Sequence, residues 1–224
     1  MKFKYIIAII GLTFIFTSCE IDNYDEPEAF FTGSVVYQGE PINVGAQEVR
    51  FQLWQSGYGL YAPLDVHLDI DGSFSGRFFS GDYKLKFIDG QGPWQATSDT
   101  INVTINGNTE MDLEVTPYYM VRNPQFSAAG NTINGNVAIE KVITGTNGRD
   151  IEFARLYIND GQFVSDNGDY NIAQVDASTI SDTSISGSVS IPDGYNKNSI
   201  FARMGIKIVG VEDLVFSEVV KVDL

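Results

Sequence analysis

Apolar and polar residues alternate with a period of two in short runs along most of this chain. Val49, Phe51 and Leu53 interleave with Arg50, Gln52 and Trp54, and Leu64, Val66, Leu68 and Ile70 with Asp65, His67 and Asp69. A strand sends successive side chains to opposite faces, so each such run predicts a half-buried strand. In the first half the pattern predicts strands over 31–37, 48–54, 64–70, 73–79, 82–88, 99–105 and 110–115. Asp71-Gly72 and Asn106-Gly107 read as hairpin turns, because Gly accepts the positive φ such turns require. At Thr116-Pro117-Tyr118-Tyr119 the pattern breaks at a proline and restarts at Met120. A second set of strands is predicted over 132–139, 152–158, 184–191, 199–208 and 215–222. Helical periodicity is nearly absent, so the expected class is all-β, with two consecutive β-sandwich domains over 30–116 and 117–224.

The first residues depart from this pattern. Lys2 and Lys4 precede an uncharged apolar run from Tyr5 to Phe16, followed by Thr17-Ser18-Cys19. Charged, apolar and small residues in that order read as a cleavable signal peptide over 1–18. The run falls short of the roughly 20 residues that span a bilayer core. Phe16-Thr17-Ser18-Cys19 resembles the bacterial lipobox, which implies a lipid on Cys19, the single cysteine of the chain. Two or more acyl chains hold a protein firmly at a bilayer, each buried CH₂ contributing about 0.8 kcal/mol. Residues 19–29 then form an acidic tether carrying Glu20, Asp22, Asp25, Glu26 and Glu28. An acidic tract behind the lipid resembles the surface-export signal of Bacteroidota lipoproteins. The expected location is therefore the outer membrane, lipid-anchored and facing the exterior.

Within the first half, Gly33-x-Val35, Gly39-Glu40-Pro41-Ile42, Asp71-Gly72-x-Phe74 and Gly81-Asp82-Tyr83-x-Leu85 follow one another. Their order is similar to that of the carboxypeptidase-regulatory-like, transthyretin-like (prealbumin-like) sandwich, a recognition module without catalytic residues of its own. The second half reads as an immunoglobulin or fibronectin-III-like sandwich. With the lipobox, the acidic tether, Ala154-Arg155-Leu156-Tyr157-Ile158 and Phe201-Ala202-Arg203-Met204-Gly205, the whole chain resembles the Bacteroidota lipoproteins of domain-of-unknown-function family 3823. That resemblance implies a surface role in polysaccharide uptake. The partners it implies are an outer-membrane transporter and its substrate-binding lipoprotein, and no functional residue comes with it.

Charge and chemistry narrow the reading further. Of 14 basic residues, Lys2 and Lys4 leave with the signal, so 12 face 29 acidic ones and the mature chain carries a formal −17. Nucleic acid is an unsuitable partner for such a surface. One histidine, a cysteine committed to lipid and the lack of a phosphate-cradling Gly-rich loop remove the common catalytic and metal-binding arrangements. Asp65, His67 and Asp69 share a strand face but stand about 7 Å apart in steps of two, too far for one ion. Asp69-Ile70-Asp71-Gly72-Ser73 and Asp166-Asn167-Gly168-Asp169 resemble fragments of calcium loops, yet read better as turns. No catalytic residue, metal site or cofactor is expected.

Binding has clearer candidates. Sugar C–H faces pack on aromatic rings while hydroxyls take hydrogen bonds from neighbouring polar groups. Trp54 falls on the outward face of its strand, Tyr58 and Tyr61 follow in the next loop, and Trp94 sits in the Gly/Pro-rich loop Asp89-Gly90-Gln91-Gly92-Pro93-Trp94-Gln95. These four aromatics are the expected ligand-binding residues, with polysaccharide as the ligand. The alternative expectation is a structural adhesin or assembly scaffold, using an uncovered sheet edge such as 215–224.

Overall fold

The computed structural model describes residues 26–57 and 61–224. The expected signal segment, Cys19, the start of the expected acidic tether and Tyr58 lie outside the described residues. Nine strands form the first half: β1 (Ala29–Tyr37), β2 (Glu40–Pro41), β3 (Arg50–Gln55), β4 (Pro63–His67), β5 (Ser73–Phe78), β6 (Gly81–Phe87), β7 (Ile101–Ile105), β8 (Asn108–Glu110) and β9 (Leu113–Glu114). One sheet runs β2-β1-β5, with β8 and β9 added parallel to β1, and the other runs β4-β3-β6-β7. Their inner faces meet in an aromatic core, where Phe74 lies 5.0 Å from both Phe31 and Phe51, centroid to centroid. Such rings bury large apolar area and hold the sheets together without a disulfide.

The second half holds β10 (Tyr119–Ala129), β11 (Thr132–Lys141), β12 (Ile151–Asn159), β13 (Ala173–Asp176), β14 (Thr179–Ile180), β15 (Ser184–Ser190), β16 (Ser199–Ile208), β17 (Val215–Phe216) and β18 (Val220–Asp223). They form the sheets β10-β11-β15-β14 and β13-β12-β16-β17, with β18 also on β16. The chain is thus all-β, two sandwiches in series. Among the described residues no helix is long and apolar enough to cross a membrane.

Two turns behave differently from expectation. Gly72 and Gly107 do take positive φ, +78° and +61°. Yet the strands they join belong to opposite sheets, so these are corners between layers rather than hairpins. Turn chemistry fixes a reversal of the chain but not the partner of the next strand. A true two-residue hairpin is instead made by Gln38-Gly39, with φ of 53° and 78°, joining β1 to β2.

Further differences lie in the second half, where no predicted run covers β13 or β14. Strand β10, unpredicted, runs past Asn123-Pro124 because a bulge between Arg122 and Gln125 accommodates a residue with no N–H. The run expected over 215–222 divides into β17 and β18 around Ser217, whose hydroxyl accepts from the Met204 N–H. This edge is not bare, since the Phe216 N–H donates to the Asn43 carbonyl of the first sandwich at 3.0 Å.

A single buried cation joins the two sandwiches. Arg203 on β16 is fully buried, its guanidinium 4.3 Å from the centroid of the Phe216 ring. It donates to the carbonyls of Val44 (2.9 Å) and Ile70 (2.6 Å) in the first sandwich. In the second sandwich it donates to those of Val164 (3.2 Å) and Ser217 (2.7 Å). Burial pushes its pKa down to about 9, with Glu48 and Asp71 opposing the shift, so it stays charged at neutral pH.

Beside it, Glu48 accepts from the Ser165 hydroxyl at 3.3 Å. Burial pushes the Glu48 carboxyl up to about 7, and repulsion from Asp166 and Asp213 adds to the rise. The Ser165 hydrogen bond and Arg203 offset only part of it. An unfolded carboxyl titrates near 4.5, so between about 4.5 and 7 the native state holds more protons than the unfolded one. Stability contributed by protonated Glu48 is complete below that window and is lost as pH rises through 7. After discounting for the solvent that reaches this half-buried group, the protein is expected to be more stable at about pH 5 than at about pH 7.5 by about 1–2 kcal/mol. Thermal melts across this range read the effect. Glu48→Gln should flatten the profile, and a Gln variant with the parent's slope would remove Glu48 as its source.

Candidate ligand-binding site

The outward face of the β4-β3-β6-β7 sheet carries the candidate site. On β3, Phe51 and Leu53 are buried in the core, which turns Arg50, Gln52 and Trp54 outward. On β6, Tyr83 and Leu85 point inward and Asp82, Lys84 and Lys86 outward. On β7 the outward positions are Asn102 and Thr104. Register then sets Trp54 opposite Lys84 and Lys84 opposite Asn102, while Gln52 faces Lys86 and Asp82 faces Thr104.

Trp54 and Tyr61 meet with ring centroids 5.1 Å apart, and Tyr61 is 55% exposed. Together with Ser56, Asp82, Lys84, Asn102 and Thr104 they border a cavity of about 430 Å³. Asp82 is occupied, accepting from the Thr104 hydroxyl at 2.6 Å. The Trp54 indole N–H is buried with no acceptor among the described residues, at a cost of about 1–3 kcal/mol. Along the strands, Arg50 Nε stands 3.1 Å from Asp65 Oδ2, an ion pair whose angle falls short of a hydrogen bond, and Gln52 donates to Asp65. The arrangement offers an aromatic surface flanked by the Lys84 ammonium and the Asn102 amide, neither with a partner among the described residues, suited to binding a polar molecule that has apolar faces.

Trp94 does not join this face. It is 4% exposed, edge-on to Phe87 at 5.6 Å and bridged to Pro117 at the junction of the two sandwiches. The four expected aromatics therefore reduce to Trp54 and Tyr61 on the described surface, with Tyr58 outside the described residues. Asp82, Lys84, Asn102 and Thr104 were not expected at a site. Alternation along β6 and β7 turns them outward, but only the pairing order β3-β6-β7 brings them beside Trp54.

Two larger clefts have several of their charged and polar groups engaged within the fold. One of about 650 Å³ lies between β4 and β5 beneath Phe163 and Tyr170. There Asp65 serves Arg50 and Gln52, His67 Nδ1 contacts the Gln47 carbonyl at 3.0 Å, and Asp69 accepts from the Ile70 N–H. Another, of about 590 Å³, includes Arg122, which Glu40 and Glu140 neutralise. The two calcium-like sequences form turns: Asp71 accepts from the Ser73 N–H, and Asn167 from the Asp169 N–H. Among the described residues no three His, Cys, Asp or Glu side chains gather as a metal-binding group.

Two sandwiches in series, with an aromatic-bearing outer face on the first, place the chain among tandem β-sandwich proteins. It belongs to the DUF3823 family: residues 29–116 match the N-terminal domain of this protein family of unknown function, and residues 119–221 match its C-terminal domain. A DUF3823 family protein from Bacteroides ovatus is 33% identical with a TM-score of 0.77, the match covering 88% of this chain and 100% of the other. One from Parabacteroides merdae is 32% identical with a TM-score of 0.79, over 89% and 100%. A candidate carbohydrate binding protein from Bacteroides uniformis shares the fold at 16% identity and a TM-score of 0.70, over 88% and 100%. No curated protein matches.

Proposed function

We propose that this chain is a non-catalytic, cell-surface lipoprotein that binds polysaccharide through the Trp54–Tyr61 face, as an accessory component of a polysaccharide uptake system. The observation that carries the reading is the pair of aromatic rings 5.1 Å apart beside a cavity whose Lys84 and Asn102 side chains have no partner among the described residues. Rings bind the C–H faces of a sugar, and free donors and acceptors bind its hydroxyls. The fold shared with a candidate carbohydrate binding protein of Bacteroides uniformis is in keeping with this. Acylated Cys19 would anchor the module at the outer membrane, and the acidic tether would hold the sandwiches clear of it, within reach of a transporter and its substrate-binding lipoprotein.

The test is affinity electrophoresis and calorimetry of the chain from residue 20 onward, which contains every described strand, against plant, host and microbial polysaccharides. Saturable binding to at least one is expected, weakened about tenfold or more in Trp54→Ala, as for the removal of a central aromatic anchor. Retarded migration that survives Trp54→Ala unchanged would move the site elsewhere, and an unretarded protein with every polysaccharide would end the direct-binding reading.

A further inference from the structure

The charge around Trp54 runs against that of the rest of the molecule. The sequence carries a formal −15, and nearly all its described cations are committed within the fold. Arg50, Arg122, Lys141, Arg155 and Lys197 pair with carboxylates, and Arg77 stands 3.8 Å from Glu26. Arg149, Arg203 and Lys207 donate to backbone carbonyls. Among the described basic residues only Lys84, Lys86 and Lys221 have no partner. Two of these three lie side by side on the outward face of β6, one opposite Trp54 and the other opposite Gln52.

Nearby carboxylates cancel them only in part. Asp82, the one carboxylate bordering the cavity, holds the Thr104 hydroxyl. Asp65 is held by Arg50 and Gln52. On this outer face Arg50, Lys84 and Lys86 therefore face Asp65 and Asp82, three positive charges against two negative, and the excess resides on the two lysines beside the rings. Lysine retains a flexible ammonium with three donors, suited to an acidic group whose position varies along a chain.

We propose that the ligand of this face is an anionic polysaccharide, bearing uronic-acid carboxylates or sulfate esters, with the sugar ring on Trp54 and Tyr61 and the acidic group between Lys84 and Lys86. This inference rests on the binding reading above and names its substrate class. A hydrogen bond from a charged donor is worth more than a neutral one, so the acidic group supplies selectivity beyond what the rings give. The strong negative charge of the remaining surface repels the same polymer, which confines its attachment to this face.

The experiment compares polygalacturonate, alginate, hyaluronan and chondroitin sulfate with their carboxyl-reduced or desulfated forms, and with neutral galactan, mannan and dextran. Each is titrated into the chain from residue 20 onward and into Lys84→Gln/Lys86→Gln and Trp54→Ala, surface changes that leave the core intact. Saturable binding to at least one acidic polymer is expected. It should fall roughly tenfold or more on carboxyl reduction or desulfation, and by a similar factor in the double lysine variant, and it should also be lost in Trp54→Ala. Binding of a neutral polysaccharide that needs Trp54 but is indifferent to both lysines would overturn the anionic class and leave the glycan-binding reading standing. Acidic binding that persists in Trp54→Ala and vanishes with salt alone is diffuse charge attraction and overturns the proposal. If none of the polymers binds, both readings fall together.

Discussion

Arg203→Ala is expected to destabilise the protein by about 3–5 kcal/mol, because it strips the donors from four carbonyls and leaves a void where a buried cation stood. For the 205 residues from residue 20 onward that is a fall of roughly 10 °C or more in melting temperature. The effect should not stay within one sandwich, since Val44 and Ile70 belong to the first and Val164 and Ser217 to the second. Loss of the shared cation uncouples them, so the parent is expected to melt in one transition and the variant in a broadened or divided one. Arg203→Lys should recover only part of the loss, because one ammonium cannot span the positions that a planar guanidinium reaches. Calorimetric melts of the three proteins test this, and an Ala variant within about 1 kcal/mol of the parent would remove Arg203 as the fastening between the halves.

Trp94→Ala is expected to cost a comparable amount, about 3–5 kcal/mol, the range for truncating a buried large aromatic residue. The indole lies against Gly92, where an added Cβ would come within 2.1 Å of the ring. Gly92 has a φ of +82° and donates its N–H to Asp213 Oδ2 at 2.7 Å, so the loop is tied to the second sandwich. The Pro93 carbonyl accepts from the Tyr118 N–H at 3.1 Å, which fixes the same loop to the junction. Removing the indole should therefore loosen the junction as well as the end of the first sandwich. A urea titration of Trp94→Ala beside Trp54→Ala makes the contrast: a large drop in midpoint for the first and a small one for the second. Equal midpoints would contradict the division of one tryptophan to the core and the other to the surface.

That division marks how far the sequence could be read. Alternation in Val49–Trp54 gave the inward and outward faces of β3 correctly, since one buried sheet face imposes a period of two. The same period of two turns Lys84, Lys86, Asn102 and Thr104 outward, but their proximity to Trp54 depends on which strands are neighbours, which no local pattern encodes. Trp94 sits among Gly and Pro and reads as part of an exposed loop. Its burial follows from contacts with Pro117 and Asp213, far along the chain. Arg203 likewise carries no local signal. It occupies an outward position of β16, and that face is covered by Val164 and the Phe216 ring of its own sandwich together with the first sandwich, which reaches it from far along the chain. The β10 strand was hidden by Asn123-Pro124, a pair that breaks regular ladders and survives here at a bulge.

Because the chain has only two tryptophans, Trp94→Phe leaves Trp54 as the sole indole and its fluorescence as a direct report on the proposed site. The decisive measurement is quenching of that emission by acrylamide, with and without a polysaccharide that the protein retains in affinity electrophoresis. Bound glycan over the Trp54–Tyr61 face should shift the emission and shield the indole, lowering the quenching constant in a saturable manner. Saturable binding that leaves both the emission and the quenching constant of Trp54 unchanged would place glycan recognition away from this face.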